Sequence, residues 1–312
     1  MRIAFDEDRV TVQAPAKLNL FLELLARRAD GYHDLETLMV AVDLCDQLSL
    51  QSRDDGELHL VTDWAATIPC HTSLGDVPAG HDNIVVQALE RLRERAGVSL
   101  GANIRLRKRI PSAAGLGGAS SDAAAALLGA NVLWDLRWTT AELSLLAAEL
   151  GSDVPFFLGA SAAVCRGRGE QIEPLPSLPR LDVVIVRPPE GLSTPAVYGR
   201  CQVADSPASV DPAVAAWRRG DIAGLARHMT NRLEPAAEAL SPWIARLRAA
   251  FAEQNCYGHQ MSGSGTSYFG LCRHALHARQ VASRLRARDI GYVVCTRTIS
   301  LLAPEQGDQQ AA

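Results

Sequence analysis

No stretch of this chain reaches the roughly 18 consecutive apolar residues that a membrane-spanning helix needs. Its first residues, Met-Arg-Ile-Ala-Phe-Asp-Glu-Asp, carry acids where a secretory signal would carry its apolar run. The expectation is a cytoplasmic protein with no membrane partner. Basic residues are not in excess: 31 Lys and Arg against 35 Asp and Glu leave a net charge of −4, which excludes a large nucleic-acid footprint. Cysteines number seven, scattered singly at 45, 70, 165, 201, 256, 272 and 295, and an odd, unclustered set reads as reduced thiols. Cys272, His274 and His277 have metal-like spacing but no second ligand pair nearby, so zinc is not expected. Several familiar signatures are missing as well. There is no Gly-x-x-x-x-Gly-Lys-Ser/Thr, no Gly-x-Gly-x-x-Gly, no Asp-Phe-Gly and no Gly-x-Ser-x-Gly. What is present is ordinary for a soluble globular chain: 312 residues, 47% apolar and 21% charged, enough for a substantial core and about two domains.

Against that background the stretch Pro111-Ser-Ala-Ala-Gly-Leu-Gly-Gly-Ala-Ser-Ser-Asp122 stands out. Asn103 to Ile110 before it alternates apolar with basic residues, the period of a half-buried strand, and Asp122 to Trp134 after it reads as a helix with Ala124, Leu127, Leu128 and Leu133 on its core face. Strand, glycine turn and helix in that order aim unpaired N–H groups and the positive dipole end at the loop, a setting for phosphate. Gly115, Gly117 and Gly118 let backbone approach an anion with no Cβ between. The same glycines also suit a plain tight turn, with Ser120 or Ser121 as an N-cap.

Residues 10 to 25 read as two strands broken at Pro15, with Lys17 and Asn19 sharing one face of the second and Leu18, Leu20 and Leu22 the other. A turn at Asp30-Gly31 is followed by Tyr32 and His33, planar groups with polar tips at a loop end, and then by the apolar stretch Leu35 to Leu50. Glu57 to Val61 reads as a strand. Asp82 reads as the cap of a helix carrying Asn83 in its first turn, and Thr139-Thr-Ala-Glu142 as a capping box for a helix ending at Gly151. Directly beyond stands Asp153, a carboxylate against a helix C-terminus; that costs electrostatic energy and suggests a use, although an Asx-turn before Pro155 serves locally. After Leu181 to Val186 comes a long helical region that Pro207 and Pro212 break early. The remainder, helix Pro242 to Glu253, strands Gly258 to Met261 and up to Cys272, a helix to Asp289 and a strand Tyr292 to Thr298, completes a β-α-β-β-α-β pattern. Pro304 to Ala312 reads as a disordered tail.

Taken together, Pro15-Ala-Lys-Leu-Asn19, Arg28-Ala-Asp-Gly-Tyr-His33, the Pro111 to Asp122 loop, Gly151-Ser-Asp-Val-Pro155 and Met261-Ser-Gly-Ser-Gly265 resemble the GHMP family of small-molecule kinases over most of the chain. The resemblance implies an α+β, two-domain architecture: a ribosomal-protein-like α/β domain over 1–178 and a ferredoxin-like domain over 179–303, with ATP and substrate in the cleft between. It implies Asp153 as the acceptor of the hydroxyl proton and Lys17 as the cation beside it, which offsets charge on the attacking oxygen. Pro111, Ser112, Ala113, Ala114, Gly115, Leu116, Gly117, Gly118, Ala119, Ser120 and Ser121 would wrap the ATP phosphates, with Asn83 and Lys108 on the adenine side. Asn19 would hydrogen-bond the acceptor hydroxyls. The Tyr32-His33 element points within the family to a substrate carrying a cytidine diphosphate group, on the non-mevalonate route to isoprenoid precursors. Tyr32 and Tyr198 would sandwich the cytosine, His33 would pair with its edge and Thr194 would lie beside it. Mg²⁺ is expected with ATP, and Ser121 of the loop is the one residue whose place suggests a ligand for it. The family's usual Asn-Asp pair reads Asn231-Arg232 here, a departure that puts one contact in the C-terminal domain in doubt.

Two other readings remain open at this level. One is a family kinase acting on mevalonate, homoserine or a sugar, against which the Tyr32-His33 element speaks. The other is a non-catalytic regulator that binds nucleotide without turnover, against which the joint presence of Lys17 and Asp153 speaks.

Overall fold

The computed structural model describes residues 1–6, 8–68, 74–176 and 180–299. The tail 304–312 and the expected domain boundary at 178/179 lie outside the described residues. Among those residues no helix is long and apolar enough to cross a membrane.

The first sheet is organised on two long antiparallel strands, β2 (Arg9–Arg27) and β3 (His33–Arg53), with β1 (Arg2–Asp6) on one edge and β5 (Gly101–Lys108) and β4 (Leu58–Trp64) on the other. The first half of β3 also pairs with β6 (Ala162–Arg166), and β6 with β7 (Gln171–Pro174). Alternation predicts two strands broken at Pro15; the structure has a single strand, β2, instead. Proline cannot donate a ladder bond, and the register shifts between Pro15 and Ala16, so a bulge absorbs it without ending the strand.

Helices α1 (Ile84–Ala96), α2 (Gly118–Leu133), α3 (Thr140–Leu150) and α4 (Val154–Gly159) cover one face of this sheet, where Val10, Val12 and Ala14 meet Leu89, Leu127 and Phe156. The opposite face, carrying Leu18, Leu20 and Leu38, packs on Val183, Ile185, Trp217 and Phe269 of the C-terminal half. Being covered on both sides explains why β2 is buried without interruption from Ala14 to Leu24.

That second half forms its own sheet in the order β10-β11-β8-β12, every pair antiparallel: β8 (Asp182–Arg187), β10 (Gly258–Met261), β11 (Tyr268–Cys272) and β12 (Tyr292–Arg297). Helices α9 (Pro242–Ala252) and α10 (Ala275–Arg286) seal its outer face through Leu247, Phe251 and Val281. Between β8 and α9 run α5 (Thr194–Arg200), α6 (Asp211–Arg219), α7 (Ile222–Arg227), the short β9 (Thr230–Asn231) and α8 (Glu234–Leu240). The fold is thus α+β with a ferredoxin-like strand order in its C-terminal half.

Three boundaries differ from the sequence reading. Asn83 rather than Asp82 caps α1, its side chain accepting from Val85 N at 2.9 Å. Helix α2 begins at Gly118 rather than Asp122, so Ser120 and Ser121 lie inside its first turn. Pro212 does not break a helix; it stands in the opening turn of α6, where a missing N–H costs nothing. His274 caps α10 by accepting from His277 N, and among the described residues no group of three His, Cys, Asp or Glu is placed to hold a metal ion.

Candidate active site

The bulge at Pro15 sets the phase of β2 so that Lys17 and Asn19 turn toward a cavity of about 990 Å³. Residues of both halves line it: the glycine loop and Asp153 from one, Thr194, Tyr198, Gly263 and Ser264 from the other. Every residue expected at the site lines this cavity except Ser121, which is fully buried within α2.

Lys17 is 4% exposed in the middle of an apolar strand. Its Nζ donates to Asn19 Oδ1 at 2.6 Å and stands 3.4 Å from Asp153 Oδ2. Asn19 is itself fixed: Nδ2 donates to Thr37 Oγ1 at 2.8 Å, and Thr37 Oγ1 donates to Phe21 O at 2.6 Å. Asn19 therefore orients the lysine, a part the sequence reading did not give it. Asp153 keeps a third of its side chain exposed, facing the cavity, where a substrate hydroxyl can reach it. It also stands at the N-cap position of α4, so the unfavourable dipole of α3 is offset at once by the next helix. A buried ammonium at the centre of a strand is costly unless paired, and this one is paired with Asn19 and Asp153, both on the cavity wall.

The glycines of the loop answer to more than an anion. Gly115 and Gly117 have φ of 72° and 69°, in the left-handed region. A Cβ at Gly115 would stand 2.0 Å from Ser262 O, and one at Gly117 would stand 2.9 Å from Lys17 Cγ and 3.0 Å from Phe157 Cζ. The loop is small because the C-terminal turn and the lysine press on it. Its carbonyls are tied down: Lys17 N donates to Leu116 O, Ser262 Oγ to Gly115 O and Ser267 N to Ala114 O, at 2.9, 3.0 and 3.1 Å. The opening N–H groups of α2, unpaired within any helix, are left for a ligand.

At the other end of the cavity Tyr32 is 55% exposed and His33 is 8% exposed. The ring beside Tyr198 is that of His33, with centroids 5.7 Å apart and planes tilted by 36°. The group over Tyr32 is the guanidinium of Arg168, 5.1 Å from its centroid. Burial, with Arg27 nearby, pushes the His33 imidazole below its ordinary value, so near neutrality it has one donor and one acceptor nitrogen. Burial raises the Tyr198 phenol, with Asp153 adding to the effect. Thr194 Oγ1 lies 2.8 Å from Ser264 Oγ, joining α5 to the turn after β10.

On the remaining side Asn83 is held by Pro78 O and Val85 N, and Lys108 is locked between Asp46 and Asp122. Asn231 Nδ2 donates to Met261 O and Gly263 O, both at 2.8 Å, and so fixes the turn that overhangs Lys17. Arg232, where the family pattern has an acid, makes a two-pronged bridge to Glu23 of β2 at 2.6 and 2.8 Å. Burial alone would raise the Glu23 carboxyl, but Arg232 and the Leu24 and Ala208 amides outweigh it and hold it below its ordinary value. Sequence reasoning missed Arg168 and Asp122, which line the cavity, and Asp46 beneath it. Arg168 sits in a Gly-Arg-Gly turn whose glycines were its one visible signal.

Residues 83–161 match the family described as GHMP kinases N terminal domain, and residues 213–290 the family described as GHMP kinases C terminal. A 4-diphosphocytidyl-2-C-methyl-D-erythritol kinase of Pelotomaculum thermopropionicum is 41% identical over 293 residues, covering 93% of this chain and 98% of that protein. A crystal structure of a 4-(cytidine 5'-diphospho)-2C-methyl-D-erythritol kinase superposes with a TM-score of 0.76 at 35% identity, covering 92% and 98% of the two chains. A homoserine kinase from Cytophaga hutchinsonii superposes at 0.72 with 21% identity over 96% and 97%, a likeness of fold alone.

Proposed function

The chain belongs to the GHMP kinase family, and from that premise we propose that it phosphorylates the 2-hydroxyl of 4-diphosphocytidyl-2-C-methyl-D-erythritol with ATP, Asp153 serving as general base beside Lys17. It is an ATP-dependent small-molecule kinase of isoprenoid synthesis. The observation that carries the catalytic assignment is the 3.4 Å approach of the Lys17 ammonium to Asp153 in a cavity that also holds the glycine loop.

On this reading ATP lies with its phosphates along Pro111 to Ser120 and the opening turn of α2, and with its adenine toward Asn83. The cytidine end of the acceptor lies against Tyr32, His33, Thr194 and Tyr198. Asp153 takes the proton of the acceptor hydroxyl as its oxygen bonds to the γ-phosphorus; the bond from that phosphorus to the β,γ-bridging oxygen breaks and ADP leaves. Lys17 meets the charge that develops on the attacking oxygen. Asn19 holds Lys17 in place through its 2.6 Å hydrogen bond. Oxygen donors suit Mg²⁺, but the described residues offer no cluster of three acids or histidines for it. Bound with the nucleotide, Mg²⁺ would offset the negative charge of its phosphates. The division at 178/179 into an ATP-binding and a ferredoxin-like domain, and a cytoplasmic location, complete the proposal.

A coupled assay of ADP release tests it. With ATP and the cytidyl substrate, turnover is expected; with mevalonate, homoserine or a hexose it is not. Asp153→Asn should lower kcat by roughly 10²–10⁴ while nucleotide affinity stays within a few-fold. Turnover with one of the other alcohols alone would replace the substrate, and a wild-type kcat in Asp153→Asn would remove the base.

A further inference from the structure

Lys108, at the end of β5, buries its ammonium between two carboxylates, Asp46 of β3 and Asp122 of α2. The side chains of the three are 0–5% exposed, so this is not a solvated surface bridge. Asp46 accepts with its other oxygen from the backbone N–H groups of Arg109 and Ile110. Residues 108, 109 and 110 are thus pinned immediately before the glycine loop, and Asp122 is pinned immediately after it, all to one point. The Lys108 ammonium lies 3.5 Å from where a Cβ of Gly118 would stand, beneath the first residue of α2.

Two acids and one base buried together are a poor device for stability, since apolar residues of like volume would serve better. They are also a poor counter-ion for phosphate, because the single cation is already matched. Asp46 accepts from three donors, whereas Asp122 accepts from Lys108 alone and stands within hydrogen-bond reach of the Asp46 carboxylate, and its Oδ1 has no hydrogen-bond partner among the described residues. One proton on Asp122 makes the group neutral. Burial first, and then the charge of Asp46, push the Asp122 carboxyl well above its ordinary value against the pull of Lys108. Of the other elements near the start of α2, β2 brings Lys17 against Gly117, but its charge is directed to Asn19 and Asp153.

We propose that Asp46, Lys108 and Asp122 form a charge-neutral clamp that holds the two ends of the glycine loop at the separation the nucleotide phosphates require, which makes all three positioning residues for ATP. The inference rests on the kinase reading above. It changes the part given to Lys108 by the sequence, from a ligand of the nucleotide to a support beneath it.

The test is calorimetric titration of a non-hydrolysable ATP analogue with Mg²⁺, alongside acceptor KM and melting temperature. Lys108→Met should weaken the analogue roughly 10- to 100-fold, the scale of a misplaced binding element, with acceptor KM changed less than about threefold. Asp122→Asn, of the same shape and still able to bond the ammonium, should hold affinity within about threefold, whereas Asp122→Leu, which removes the tie, should weaken it as Lys108→Met does. Should Lys108→Met not fold, the two Asp122 variants decide. Wild-type affinity in Asp122→Leu, or a Lys108→Met that lowers melting temperature with ATP and acceptor constants moving together, would each overturn the clamp. A wild-type protein that fails to bind the analogue would overturn the kinase reading itself.

Discussion

Replacing Lys17 with methionine separates a catalytic lysine from a structural one, because a catalytic role predicts almost no change in stability and a structural role predicts a large loss. The substitution keeps the length of the side chain and removes a charge that is 4% exposed. Against stability count the lost charged hydrogen bond to Asn19 at 2.6 Å and an Asn19 Oδ1 left without its donor, about 1.5–3 kcal/mol for the bond. The attraction to Asp153 at 3.4 Å is about 5 kcal/mol at an effective dielectric of 20, but Asp153 is a third exposed and water replaces much of it. In favour of stability, the desolvation of an ammonium, several kcal/mol, is no longer required. The terms cancel to within about 2 kcal/mol, or a melting shift of at most roughly 5 °C for a chain of this size. Turnover should nevertheless fall by about 10²–10⁴, since the charge on the attacking oxygen loses its partner. Differential scanning calorimetry and a coupled kcat measurement on the same preparation make the comparison. A melting temperature lowered by more than about 10 °C, with the folded fraction turning over normally, would show that Lys17 holds the fold and not the transition state.

Tyr32→Ala should raise acceptor KM about 5- to 150-fold, the 1–3 kcal/mol of one stacked base, with kcat nearly unchanged; steady-state kinetics that show ATP KM moving instead would assign the ring to the nucleotide. His33 titrates below its ordinary value, so it is neutral at pH 7 and gains its proton only as pH falls further; kcat/KM for the acceptor should be flat from pH 7 to 8 and decline on the acid side, and a His33→Gln profile should lack that break. Arg232→Ala leaves Glu23, with a side chain 1% exposed, without its partner, at a cost on the order of 2–3 kcal/mol, less than a fully buried pair because Arg232 itself is a third exposed. The Glu23 value is depressed in the fold, so the bridge's contribution is present above the ordinary carboxylate range and disappears as pH falls through the lower value. The melting gap between the variant and wild type should accordingly be wide at pH 7 and close toward pH 3; a gap that does not change with pH would mean the bridge is not the cause.

Local chemistry was legible in the chain itself. The loop glycines, the Thr139 capping box, the shared face of Lys17 and Asn19 and the β-α-β-β-α-β order all follow from constraints that act over a few residues, namely left-handed backbone, side-chain reach and the two-residue pleat. Motif identity did the rest for the family, because those short constraints recur together. What the chain could not disclose is which distant groups meet. By its sequence alone Pro15 ends a strand, because its ring forbids a ladder bond, and only pairing with β3 decides that a bulge absorbs it. Gly115 is small because Ser262, 147 residues away, presses its carbonyl there, a contact that neither an anion site nor a local tight turn discloses. Asp46 and Asp122 are unremarkable acids until β3, β5 and α2 bring them to one ammonium, and Arg232 looked like a lost contact until β2 supplied Glu23. Charge pairing in a low-dielectric interior depends on separation in space, which sequence spacing does not carry, and so the supports beneath the site were settled by the tertiary structure alone.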